Sequence, residues 1–147
     1  MISVVLWIVG GGVFLVFLIY VIHKREERQR RLTEEALAHM AARPVLDANA
    51  FGQTYFESSE VAVAIRLRSI LQNHFSFDLG TLHPDDRLVA DLHMDDLDSM
   101  AAAEFLMEVE QEFKIKIPNG AARKMRTLRD VVTFVSEQLR LKKAPPA

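Results

Sequence analysis

The chain has 147 residues, a formal net charge of -2 and no cysteine. That length holds one domain of ordinary size plus an appendage. The near-neutral charge, with no basic stripe along a folded element, excludes nucleic acid as an expected partner, and the missing cysteines exclude a disulfide framework, a thiolate nucleophile and a thiolate metal site. The near-zero mean hydropathy averages two unlike parts.

The first part is apolar. Residues 4–22 (VVLWIVGGGVFLVFLIYVI) form a run of nineteen without a charge. As a helix this run measures roughly 28 Å, close to the ~30 Å hydrocarbon core of a bilayer. Trp7 and Tyr20 lie near its ends, where aromatic rings favour the interface. Gly10-Gly11-Gly12 is tolerated in such a helix. No basic residue precedes the run and no small-residue cleavage site follows it, which argues against a signal peptide. Five Lys/Arg within His23–Arg31, against none on the other side, orient the remainder inward. The expectation is therefore a single-pass membrane protein, anchored through 4–22, with the bilayer as a partner and its folded domain cytoplasmic.

Residues 23–57 read as a charged stalk and linker. Lys24 to about Ala42 favours a helix, supported by Glu26–Arg30 and Glu27–Arg31 at i,i+4. Arg43-Pro44 ends it. The stretch 44–57 (PVLDANAFGQTYFE) lacks a sustained period and contains Pro, Asn and Gly, which marks a linker.

The folded domain is expected at 58–141, with 142–147 a disordered tail ending in Pro145-Pro146-Ala147. Ser58 or Ser59 suits the N-cap of a first helix running to about His74, with Val63, Leu67, Ile70, Leu71 and His74 facing a core. A long loop follows, broken by Gly80 and Pro84. A second helix is predicted from near Ser99 to before Pro118. Ala102, Leu106, Val109 and Phe113 form its main stripe, flanked by Phe105, and Met100, Ala103 and Met107 form an adjoining one. A short helical turn around Asn119–Met125 leads to a last helix, Thr127 to about Leu141, with Leu128, Val131, Val132, Val135 and Leu139 in phase. No segment alternates with period two, so the fold class is all-α, a four-helix bundle behind one transmembrane helix and its stalk.

Chemistry is sparse. No nucleophile–base, zinc, P-loop or dinucleotide pattern is present, so no catalytic residue is assigned. Asp91, His93, Asp95, Asp96 and Asp98 cluster, but without the glycine and terminal glutamate of a calcium loop, and no metal site is assigned. Seven acidic residues and no basic one lie between Asp95 and Glu112. Glu104, Glu108 and Glu112 among them are candidates for recognising basic partners.

Several ordered residues resemble the acyl carrier protein family. They are His83-Pro84-Asp85-Asp86-Arg87-Leu88 ahead of Asp91-Leu92, then Asp98-Ser99-Met100 and Glu104. Glu110-Gln111-Glu112-Phe113, Ile117-Pro118, Ala122-Arg123-Lys124-Met125 and Thr127-Leu128 follow. The resemblance runs from about Ser59 to Leu139. It implies a small helical carrier, not an enzyme, bearing covalent 4'-phosphopantetheine on Ser99, with Asp98 the preceding acid and Met100 the following apolar residue. It also implies a phosphopantetheinyl transferase and acyl-transferring or acyl-modifying enzymes as partners, in fatty-acid or related metabolism. The soft strip Met100, Ala103 and Met107 would lie along a bound acyl chain.

The family pattern Asp-Leu-Gly-x-Asp-Ser is altered here to Asp91-Leu92-His93-Met94-Asp95-Asp96-Leu97-Asp98-Ser99. Aligned from the left, Asp96 takes the serine's place. Aligned from the right, Ser99 does, and three residues are added. Helix phase favours Ser99, because the Asp96 register would put Glu110 at a core position. The implied function is a membrane-anchored carrier presenting a thioester-bound group; the alternative is an unmodified carrier fold used as an anchored interaction module.

Overall fold

A computed structural model describes residues 2–94 and 100–143, with side chains from residue 14 onward. Among the described residues the fold is all-helical: α1 (Ile2–Met40), α2 (Ala48–Tyr55), α3 (Val61–Gln72), α4 (Ala101–Phe113), α5 (Asn119–Ala122) and α6 (Leu128–Lys143). The only β-type pairing among them is an isolated bridge between Arg87 and Thr127. The expected tail falls mostly on residues 144–147, outside the described part.

The expectation of a membrane anchor requires correction. No helix, among the described residues, is long and apolar enough to cross a membrane. The single-pass location, the cytoplasmic placement and the bilayer as partner are withdrawn with the anchor.

Residues 44–57 differ from the expected linker. Asp47 caps α2 by accepting the Ala50 N–H at 2.7 Å, and Phe51 is fully buried. Gly52 permits close packing on α3, since a Cβ there would stand 2.9 Å from Ile65 Cγ1. The glycine read as a breaker is a contact residue.

Helix α3 buries Val63, Ala64, Leu67, Ile70 and Leu71, spaced as an amphipathic helix requires. It starts beyond the serines expected to cap it. Glu60 is the cap residue and makes no side-chain cap bond; the Glu57 carbonyl instead accepts from Glu60 N and Val61 N. α3 packs against α2, α4 and α6. In α4 the buried line is Ala101, Phe105 and Val109, so the stripe turns slightly from the expected one and leaves Ala102, Leu106 and Phe113 half-buried. Lys114, in left-handed backbone at φ 52, ends it. The last helix opens on a reciprocal cap: Asp130 accepts from Thr127 N at 3.0 Å, and Thr127 Oγ1 accepts from Asp130 N at 3.2 Å.

The loop between α3 and α4 is held by side chains more than by regular backbone pairing. Leu79, Leu82, Leu88, Leu92 and Met94 are buried anchors. Gln72 donates to the Phe77 carbonyl and accepts from Leu79 N, both at 2.8 Å. Buried Arg68 donates to the carbonyls of Leu46 and Leu79 at 2.7 and 3.1 Å. Its guanidinium lies 4.9 Å from the Phe51 ring centre.

Asp86 joins this loop to α1. It is 4 % exposed and accepts from Arg43 Nη1 at 2.5 Å and from His83 N at 2.9 Å, with His39 Nε2 at 3.2 Å. Leu32, Ala36 and Met40, spaced i, i+4, i+8, are buried at the same end of α1. Asp86→Ala is expected to lower the unfolding free energy by about 1–3 kcal/mol, the cost of removing a buried, multiply bonded acceptor. Urea denaturation of the full chain checks this; a midpoint equal to wild type at unchanged slope counts against the role given to Asp86.

Candidate functional site

The site is built where α4 begins. Asp98 and Ser99 lie outside the described residues, as do Asp95 and Asp96, so the assignment of Ser99 rests on its neighbours. Met100 precedes the first turn of α4, is exposed, and gives no side-chain cap bond. The first N–H groups of a helix lack partners within it, and the dipole favours an anion there. His93 adopts φ 56, backbone that glycine enters without strain. It stands where the family pattern has glycine.

A cavity of about 480 Å³ opens beside this helix start. Its apolar wall comes from Leu88, Met94, Ala102, Phe105, Leu106 and Met125. Three separate segments supply these residues: the loop before α4, α4 itself, and the stretch after α5. The bond from Leu88 N to the Arg126 carbonyl at 2.9 Å ties the first of these to the last. The strip Met100, Ala103 and Met107 is exposed and lies off the cavity. An apolar hollow next to the first turn of a helix suits a phosphate-linked arm with an apolar load, so the residues present fit the group.

The three acidic candidates on α4 are not equivalent. Glu104 is exposed with no ion pair among the described residues. Glu108 lies half-exposed, 3.4 Å from His74 Nε2. Glu112 accepts from Arg66 Nε and Nη2 at 2.6 and 3.0 Å, and this guanidinium holds its carboxyl below the ordinary glutamate range. Glu110 is turned inward and accepts from Ile117 N at 2.6 Å, fixing the chain after α4.

Periodicity alone missed the charged groups around the loop. His39, Asp86 and Asp91 bring their donor atoms within 4.8 Å of one another. Guanidinium groups, however, occupy oxygens that a cation would need: Arg43 on Asp86, and Arg87 on Asp91 at 2.7 and 3.1 Å. The cluster reads as an ion-pair network. Arg87, Arg123 and Arg126 also line the cavity; Arg87 and Arg123 fall in segments that resemble the family, and Arg126 belongs to the basic run after α4.

The Arg87 hydrogen bond outweighs burial and draws the Asp91 carboxyl down from 3.8 to about 2. A carboxyl depressed on folding contributes stability above its unfolded value, and that contribution is lost as pH falls through the folded one. Acid unfolding of wild type is therefore expected to steepen between about pH 4 and pH 2, with Asp91→Asn showing a shallower slope in that window. Circular dichroism across the range measures it, and parallel wild-type and variant curves would remove the pair from the account of acid stability.

Comparison with known proteins gives a consistent picture. Residues 66–135 match the family model described as "Phosphopantetheine attachment site". The chain is 32% identical over 69 residues to an acyl carrier protein from Helicobacter hepaticus, covering 47% of this chain and 87% of the relative. It is 31% identical over 74 residues to an acyl carrier protein from Thermosynechococcus vestitus, covering 50% of this chain and 88% of the relative.

Proposed function

Because the chain belongs to the acyl carrier protein family, we propose that it carries its load on Ser99 and shelters it in the cavity beside α4. Proteins of this family are carriers rather than catalysts, and their prosthetic group is covalently attached 4'-phosphopantetheine. They work with a phosphopantetheinyl transferase and with acyl-handling enzymes. The group, when bound, supplies the thiol that holds an acyl unit as a thioester, which explains how a chain without cysteine serves as a carrier.

The observation that carries the reading is the start of α4 at Ala101, two residues past Ser99 and five past Asp96. In attachment, the Ser99 hydroxyl oxygen forms a phosphodiester with the phosphopantetheine of coenzyme A. The pyrophosphate bond breaks, adenosine 3',5'-bisphosphate leaves, and the hydroxyl proton passes to base. The residues here supply position: the dipole at the start of α4 favours the charge of the new phosphodiester, Asp98 and Met100 flank the serine in sequence, and the apolar wall excludes water from the load. We assign the carrier unit to residues 58–141, with residues 23–57 as a buttress that includes α2.

Glu104 and Glu108 are the carboxylates left to meet basic partners, because Glu112 is spent on Arg66. Exposed Met100 and Met107 add a soft apolar contact beside them.

Incubation with coenzyme A and a broad phosphopantetheinyl transferase, followed by intact-mass spectrometry, tests the assignment. The expected result is a gain of one phosphopantetheinyl group that is absent in Ser99→Ala and retained in Asp96→Asn. A gain that survives Ser99→Ala moves the attachment elsewhere. No gain where a control carrier is modified favours the unmodified interaction module.

A further inference from the structure

The cavity beside α4 is not walled by hydrocarbon alone. Arg87, Arg123 and Arg126 stand among its lining residues. Arg87 is engaged, since its guanidinium donates twice to Asp91. Arg123 and Arg126 are exposed, and their guanidinium groups make no hydrogen bond or ion pair among the described residues. Elsewhere in the chain Arg43, Arg66 and Arg129 each hold a carboxylate, and Arg68 holds two carbonyls. Arg140, exposed on α6 and likewise without such a partner among the described residues, does not line this cavity.

Local charge explains why these two are left over. From Lys114 to Arg126 there are five basic residues and no acidic one. The nearest carboxylate along the chain, Asp130, accepts the backbone N–H groups of Arg126 and Thr127 at 2.9 and 3.0 Å. It is committed to capping α6. Two cations therefore border an apolar hollow with no carboxylate among the described residues paired to either. Guanidinium groups match carboxylates in planar, paired hydrogen bonds, which a methyl-ended chain cannot supply.

We propose that the cavity accepts an acyl group with an apolar body and an ionised far end, a dicarboxylic half-thioester, whose free carboxylate is received by Arg123 and Arg126. This rests on the reading that Ser99 bears the arm. The cavity volume, about 480 Å³, lies within the ordinary range for small-ligand pockets, about 300–1,000 Å³. The apolar wall takes the methylene body, while the cations select for the charged end. Lys124, between the two arginines in sequence, does not line the cavity and serves as a control for bulk charge.

Hexanoyl and adipoyl groups, equal in carbon count and different at the far end, form the test pair. The full-length protein is loaded with each from its coenzyme A thioester, and mass spectrometry verifies loading. The Nε–H resonances of Arg123 and Arg126 are then followed by NMR through the unmodified, thiol-bearing and loaded forms. The expected result is a shift of both resonances in the adipoyl form alone. It disappears when the pH is lowered enough to protonate the free carboxyl.

The same groups are also titrated as free pantetheine thioesters into the unmodified protein, so that the cavity is read even if Ser99 takes no arm. There the adipoyl thioester is expected to bind about three- to tenfold more tightly, the scale of one ordinary hydrogen bond at a solvent-exposed site. The preference should vanish in Arg123→Gln/Arg126→Gln and persist in Lys124→Gln. Equal responses to the two groups overturn the proposal. So does an arginine shift complete on attachment of the arm, which would make the phosphodiester the anion received. Failure of loading with a retained preference for free adipoyl thioester would instead count against Ser99 alone.

Discussion

A carboxylate withdrawn from water must be matched by donors, and Asp86 is matched from both sides of the molecule. The His83 N–H comes from its own loop; Arg43 and His39 come from the end of α1 and the turn after it. Burying a charge is costly unless it is paired and hydrogen-bonded, so the loop and α1 are fixed together or the carboxylate is stranded. That constraint sets where Leu88, Leu92 and Met94 enter the core. Leu88 in turn bonds to the Arg126 carbonyl, and the cavity wall follows from that bond. Asp91, five residues on, repeats the device at the surface with Arg87.

Much of the helical frame was legible in the sequence because amphipathic spacing reports burial directly. Leu67 and Leu71 in α3, and Val131, Val132 and Val135 in α6, face the core as their spacing predicts. Thr127, with Asp130 three residues on, marks the opening of the last helix. Other features escaped a local reading. Pro44 and Gly52 suggested a linker, since a glycine used for close helix packing looks the same in sequence as one used for a turn. The apolar run at 4–22 suggested a span, while no described helix is long and apolar enough for one. Phe105 took the centre of α4 over Leu106 because α3 packs on that side, a fact that no single-helix pattern contains.

The candidate site was legible in part. The acidic character of α4 is plain from composition, but Arg66 lies forty-six positions from Glu112, and only the fold brings them together. The cavity is invisible to motif reading for a related reason, being assembled from separate segments whose side chains meet only in the fold. His93 was the residue that most disturbed the family pattern. Its positive φ shows that the backbone keeps a glycine-like turn there, at the strain cost of a side chain, with the ring 3.5 Å from Glu35 on α1.

The junction between α1 and the bundle has a mechanical consequence. Leu46 N bonds to the Gly80 carbonyl at 2.8 Å, Arg68 holds the Leu46 carbonyl, and Arg43 is locked on Asp86. The few residues between α1 and α2 are thus pinned at both ends and provide no swivel. A helix of 39 residues, roughly 58 Å long, leaves the bundle at a set bearing. A force or a binding event on that rod turns the whole bundle as a lever turns its load, so the direction in which the cavity beside α4 faces is fixed by the rod rather than averaged by a tether.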